Sequence, residues 1–89
     1  MAAAQPLIRR LCVIGVGLIG GSLARALREK GEVAEVVGSG RSEDNLRAAV
    51  RLGVVDRYDT DPADAVAGAD AVVVAVPLGA IEPVMRAIV

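Results

Sequence analysis

Histidine, tryptophan and phenylalanine are absent from this 89-residue sequence, which holds one tyrosine, Tyr58, and one cysteine, Cys12. Without histidine the chain lacks the commonest general acid–base group and the commonest metal ligand, so no metal site is expected. A lone cysteine builds no disulfide framework, and among apolar neighbours Cys12 reads as a small buried hydrophobe in a reducing cytoplasm. Charge of one sign is missing too: the balance is net −1, which leaves no basic field for nucleic acid or for an anionic membrane surface. No apolar run approaches the roughly 20 residues of a membrane span. The opening Met1-Ala2-Ala3-Ala4-Gln5-Pro6 has neither the basic nor the apolar region of a secretory signal. Residues 1–8 read as a flexible leader.

What the chain does have is glycine in a telling order. The apolar run Leu11-Cys12-Val13-Ile14 stops at Gly15-Val16-Gly17-Leu18-Ile19-Gly20, and helical spacing follows. Strand, glycine loop and helix are the sequence of parts that a nucleotide site requires. Gly15 permits a tight turn, Gly17 lets a pyrophosphate reach the backbone, and Gly20 lets helix and strand pack closely. No Ser, Thr, Asp or Asn caps the start of the helix, so its first N–H groups and the positive end of its dipole are available to an anion.

The pattern continues in alternation. A first strand is expected at 11–14 and a helix at 18–30, with Ile19, Leu23, Ala26 and Leu27 as its apolar stripe and Gly31 as its stop. A valine-rich strand at 33–38 carries one charge, Glu35, expected near its outer end or at an edge. Ser42 caps a helix at 43–52, whose inward face is Leu46, Ala49, Val50 and Gly53. A short edge strand is expected at 54–58. Asp61-Pro62 then opens a helix to 67, and the uninterrupted AVVVAV run at 71–76 belongs at the centre of a parallel sheet. Pro77 ends it, and a last helix runs from 79, with Pro83 tolerable only in its first turn. Asp61, Asp70 and Glu82 read as a cap, a turn residue and a first-turn acid.

This alternation predicts a doubly wound parallel α/β sheet of Rossmann type with spatial order 3-2-1-4. A crevice then opens between strands one and four at their carboxyl ends, where the glycine loop faces residues 76–79. The last helix ends in Met85, Ala87, Ile88 and Val89 with nothing left to pack against, so residues 9–89 read as the first part of a larger dinucleotide-binding domain.

The second strand indicates which nucleotide. About 20 residues past the glycines an NAD site offers Asp or Glu to the ribose, whereas an arginine suits the 2′-phosphate of NADP. Here Ser39-Gly40 stands in the acid's place and Arg41-Ser42 follow. No carboxylate would repel a phosphate and a guanidinium could clasp it, so NADP is expected to be accepted and preferred over NAD.

The segments VIGVGLIGGSLARALREKG, VVGSGRSEDNLRAAVRLGVVD and ADAVVVAVPLGAIEPV resemble the N-terminal part of the prephenate/arogenate dehydrogenase family of tyrosine biosynthesis. GxGLIGGS, Gly15 to Ser22, is the most specific part, because Gly21-Ser22 goes beyond the generic motif. The resemblance implies oxidative decarboxylation of prephenate or arogenate with hydride passing to NAD or NADP, in a homodimer held by a helical C-terminal domain. It also implies that Gly15, Gly17, Leu18, Ile19 and Gly20 take the pyrophosphate and that Val76 and Pro77 border the nicotinamide half. The family's catalytic histidine and substrate arginine are expected beyond Val89, so these residues alone would bind cofactor and catalyse nothing. Two other readings share the cofactor: a different dehydrogenase or reductase, such as a 6-phosphogluconate or pyrroline-5-carboxylate enzyme, and a nucleotide-sensing module without activity. FAD suits the sequence less, since its sites also want an acid after strand two.

Overall fold

The computed structural model describes residues 7–89, apart from the side chains of Leu18 and Ile19. Residues 1–6, most of the expected leader, lie outside the described residues. The chain alternates strand and helix: β1 (Ile8–Ile14), α1 (Leu18–Glu29), β2 (Val33–Ser39), α2 (Glu43–Arg51), β3 (Arg57–Tyr58), α3 (Pro62–Ala65), β4 (Ala71–Val74), a 3₁₀ turn (Leu78–Ala80) and α4 (Ile81–Ile88). All pairings are parallel and the sheet order is β3-β2-β1-β4, as expected of a Rossmann-type doubly wound fold.

Two apolar layers explain why β1 is hydrophobic at successive positions and not at alternate ones. Leu11 and Val13 point to one face, where Ala24 and Leu27 of α1, Ala49 of α2 and Val55 cover them. Cys12 and Ile14 point to the other, against Ala65 of α3 and Val84 and Ile88 of α4. Residues 11–14 are therefore all buried. Among the described residues no helix is long and apolar enough to cross a membrane.

Several expected boundaries move, each because of a partner distant in sequence. β1 starts at Ile8, a residue assigned above to the leader, because its N–H donates to the Glu32 carbonyl at 2.8 Å. The N–H groups of Arg9 and Arg10 both donate to the Asp70 carboxylate, at 3.0 and 3.1 Å. α1 turns inward about one residue away from the expected stripe: Ala24 is buried, whereas Leu23 is 39% exposed and Ala26 faces solvent. Gly20 and Ala24 are small enough to bring that side of the helix down onto β1. On α2, Leu46 and Ala49 are buried as expected, but Val50 is 37% exposed.

β3 shrinks to two residues because the Val54 N–H turns back to the Ala49 carbonyl at 2.9 Å and strand pairing starts only with Asp56 N–H on the Val36 carbonyl. α3 ends at Ala65, two residues early. β4 ends at Val74, with one further bond from Ala75 N–H to the Ile14 carbonyl, and it lies at the sheet's edge among the described residues. The central places belong to β1 and β2, and Val72 is left 38% exposed. Pro83 falls in the first turn of α4.

Glu35 is not at an outer end. It sits half-buried inside β2 and joins three strands, pairing with Arg10 on β1 and, at 3.5 Å, with Arg57 on β3. Asp56 ties α1 to the sheet: it accepts two hydrogen bonds from the Arg28 guanidinium, at 2.7 and 3.1 Å, and one from the Val36 N–H at 2.8 Å. The Arg28 bonds lead in holding its carboxyl below the usual range.

Cys12 is fully buried, and burial pushes its thiol from 9.0 up to about 11. An unfolded chain ionises this thiol near pH 9, whereas the folded chain holds the proton until about 11. The thiol's contribution is thus whole below pH 9 and is lost as pH rises to about 11. The urea midpoint is expected to fall across that interval, and to fall less in Cys12→Ala; equal slopes would remove Cys12 as the cause.

Candidate functional site

The three longest-reaching strands, β1, β2 and β4, end together, and the loops that leave them enclose a cavity of about 560 Å³, within the size range of small-molecule sites. Gly15 turns the chain out of β1 at φ +87°, a left-handed conformation. Its N–H donates to the Ser39 carbonyl at 2.7 Å, and a Cβ there would overlap the Ala75 carbonyl oxygen. The first loop is thereby set against both neighbouring strands.

Gly17 is the N-cap residue of α1, with extended backbone (φ −121°, ψ −152°) and no side-chain cap. No atom lies within 4 Å of where its Cβ would stand. Neither backbone nor packing requires glycine here, and Gly17 lines the cavity. Gly20 does the opposite. A Cβ there would meet the Gly15 carbonyl oxygen at 2.8 Å and Val13 Cγ1 at 2.9 Å, and Gly20 does not line the cavity. Its part is to close α1 onto β1 beneath the loop. Leu18 and Ile19 contribute backbone to the first turn of α1; their side chains lie outside what is described.

Across the cavity stand Ser39, Gly40, Arg41 and Ser42, from the end of β2 to the cap of α2. Ser42 Oγ accepts from the Asn45 N–H at 3.2 Å, which starts the helix and leaves the hydroxyl proton free to be donated outward. Arg41 is exposed and forms no ion pair with any described residue; it is the one charged side chain among the described lining residues. The nearest acid in sequence, Glu43, is occupied elsewhere, taking a hydrogen bond from Tyr58 Oη at 2.9 Å and an ion pair from Arg47 at 3.6 Å. Ser39 Oγ is buried and has no hydrogen-bond partner among the described residues. A buried hydroxyl left unsatisfied in a cavity wall is costly unless a ligand or water completes it. Val76 and Pro77, which follow β4, also line the cavity.

Of the sequence-derived site residues, the structure thus gathers Gly15, Gly17, Ser39, Arg41, Ser42, Val76 and Pro77 around one cavity and sets Gly20 behind it. Asn45, Leu46, Thr60, Pro62, Ala80 and Val84 also line it and were not singled out from the sequence. Asn45 and Leu46 follow the cap by three and four residues, a spacing that could have marked them. Thr60 and Val84 arrive only through sheet order and helix packing, and nothing local marks them. Among the described residues no group of three or more Cys, Asp or Glu side chains could hold a metal ion.

The space above Gly17 and the orphan hydroxyl of Ser39 are what an extended phosphorylated ligand would fill, so the residues present fit a dinucleotide. Comparison with known proteins points the same way. The protein-family model described as NADP oxidoreductase, coenzyme F420-dependent, matches residues 10–89. The arogenate dehydrogenase of Synechocystis has a similar structure, with 29% identity and a TM-score of 0.80 over 89% of this chain and 27% of that one. The prephenate dehydrogenase of A. aeolicus, solved with hydroxyphenyl propionate and NAD+, is 27% identical with a TM-score of 0.79, over 85% of this chain and 27% of its own. The chain therefore spans about a quarter of the length of each of these enzymes.

Proposed function

Given that the chain belongs to the family described as NADP oxidoreductase, coenzyme F420-dependent, we propose that its cleft is the nucleotide site of a dehydrogenase that oxidatively decarboxylates prephenate or arogenate, with NADP preferred over NAD. The observation that carries this reading is the pairing of an uncapped helix tip, open at Gly17, with a cavity wall that holds Arg41 and no carboxylate. The likeness to arogenate and prephenate dehydrogenases supports the substrate class.

When bound, the nicotinamide cofactor accepts the hydride. The residues of this chain bind and orient. The first N–H groups of α1 have no intrahelical partner, and with the helix dipole they hold a diphosphate that the bare Gly17 lets approach. Ser39 and Ser42 offer hydroxyls to the adenosine ribose, and the Arg41 guanidinium takes the 2′-phosphate through charge-assisted hydrogen bonds. Val76 and Pro77 give the nicotinamide half an apolar wall that carries no competing donor or acid. With no histidine in these residues, proton transfer from the substrate hydroxyl falls to parts of the whole enzyme outside this segment, which we take to be a homodimer.

The test is calorimetric titration of the full chain with NADP and with NAD. NADP is expected to bind more tightly. Arg41→Ala is expected to weaken NADP by roughly 10- to 100-fold, the worth of about one hydrogen bond to a charged group, and to leave NAD unchanged. Equal losses for both cofactors would remove the phosphate role of Arg41, and no binding of either would overturn the reading. Turnover of prephenate against arogenate by the whole enzyme decides between the substrates.

A further inference from the structure

A second glycine, outside the glycine loop, has no backbone reason to be glycine. Gly38 is the next-to-last residue of β2, paired with Val13 of β1 on one side and Tyr58 of β3 on the other, and is buried. Its φ is not in the left-handed region, and glycine weakens a strand, so its presence there points to a close approach. The structure shows what approaches. A Cβ at position 38 would lie 2.9 Å from Val16 Cγ2 and 3.2 Å from Val55 Cγ1.

Resting on the nucleotide reading of the cleft, we propose that Gly38 is a positioning residue for cofactor binding: its missing side chain forms the notch that seats Val16, and through Val16 it sets the height of the Gly15–Gly17 turn over the sheet. Val16 stands between the two glycines of the loop, and its side chain packs against the core cluster of Leu11, Val36 and Val55. The loop is otherwise pinned at Gly15, through its N–H on the Ser39 carbonyl and its close contact with Ala75. Val16 is the second anchor, one residue before the helix tip.

Which atom yields to a methyl at position 38 follows from burial. Val55 is 2% exposed and enclosed by the core, whereas Val16 is only partly buried and belongs to a loop. Carbon atoms settle about 3.5–4.0 Å apart, so Val16 Cγ2, starting at 2.9 Å, has to move outward by roughly 1 Å. Gly17 and the first turn of α1 move with it. Misplacement of that size is enough to spoil a preorganised binding geometry. Gly38 does not itself line the cavity, so its effect on binding passes through the loop.

The experiment titrates NADP and NAD into the full chain as wild type, Gly38→Ala, Val16→Ala and the double variant, with urea midpoints measured alongside. In Gly38→Ala the Kd is expected to rise by about 10-fold for both cofactors, leaving the NADP-to-NAD ratio as in wild type, unlike Arg41→Ala. The double variant is expected to return to the Kd of Val16→Ala, because removing the Val16 methyls reopens the notch. Val16→Leu, which crowds the same notch from the loop side, is expected to raise Kd similarly and to shift the Gly17 amide resonance; it serves if Gly38→Ala does not fold. A merely structural Gly38 would lower the midpoint without moving Kd and would show no rescue. An unchanged Kd in a folded Gly38→Ala or Val16→Leu, or a double variant no better than Gly38→Ala, overturns the proposal while leaving the nucleotide reading intact. Failure of the wild type to bind either cofactor overturns both.

Discussion

Gly15→Ala is expected to cost this domain a large part of its stability. The residue stands at φ +87°, where an alanine is worse off by about 1–2 kcal/mol. The new methyl would also run into the Ala75 backbone, its carbonyl oxygen first and then its carbonyl carbon at 2.9 Å, and into the Val76 side chain at Cγ1, also at 2.9 Å. Neither backbone atom is the movable end of a side chain. Relief means displacing Ala75, whose N–H donates to the Ile14 carbonyl at 2.8 Å and closes the β1–β4 pairing. Overpacking of that kind costs about 1–3 kcal/mol. The sum, about 2–5 kcal/mol, compares with a total stability of about 4–13 kcal/mol for a domain of this length. Thermal unfolding should therefore shift down by roughly 10 °C or more. A midpoint within about 3 °C of wild type, less than 1 kcal/mol for a domain of this size, would show that Ala75 has room to move and that β4 is not held as described.

Gly17→Ala is expected to do the reverse, leaving the fold intact and removing the ligand. Its backbone is extended at φ −121° and no atom lies within 4 Å of the added methyl. The folded state loses nothing, and a stiffer unfolded chain even adds about 0.4–1 kcal/mol. The methyl instead adds bulk to a cavity-lining position at the tip of α1, where the diphosphate is proposed to bind. Filling space that a ligand needs costs binding about as much as overpacking costs a core, about 1–3 kcal/mol. That corresponds to a roughly 5- to 150-fold rise in Kd. Because the diphosphate is common to both cofactors, NAD and NADP should lose equally. The decisive result is the contrast: a urea midpoint at or above wild type together with weakened titration by both nucleotides. Normal affinity in Gly17→Ala would mean that no ligand approaches this turn.

These two substitutions divide one motif into its parts. Three glycines two and three residues apart announce a nucleotide loop and suggest a duty for each, but spacing does not say which atoms enforce it. Gly15 answers to Ala75, which is 60 residues away, Gly20 to Val13 and the Gly15 carbonyl, and Gly17 to no protein atom at all. Gly20 packs helix on strand as the motif led one to expect, and it stands behind the cavity wall, not in it. Gly38, never singled out from the sequence, reaches that loop through Val16, whose Cγ2 lies 2.9 Å from where its Cβ would stand.

Elements whose causes are local were legible. The cap at Ser42, the Asp61-Pro62 helix start and the left-handed stops at Gly31 and Gly53 all depend on residues within a turn or two, and each is where the spacing placed it. The order 3-2-1-4 followed as well, because right-handed crossovers and a glycine loop on the first strand leave few alternatives. The cavity's cation was legible for the same reason: Arg41 stands two residues past the end of β2, and chain direction carries it to the strands' carboxyl ends. The start of β1 at Ile8, the two-residue β3 and the place of Glu35 between Arg10 and Arg57 were not, because each depends on a hydrogen bond or ion pair to another strand.

By itself, then, the order of residues determined the class of fold, the capped helix starts and glycine stops, and the kind of ligand the first loop invites, since periodicity, capping and a run of missing side chains act over a few residues. Only the packed structure decided which atoms each glycine meets, which hydroxyl is left without a partner, and how far each strand pairs. Those depend on distances between atoms that the chain brings together only when the sheet forms.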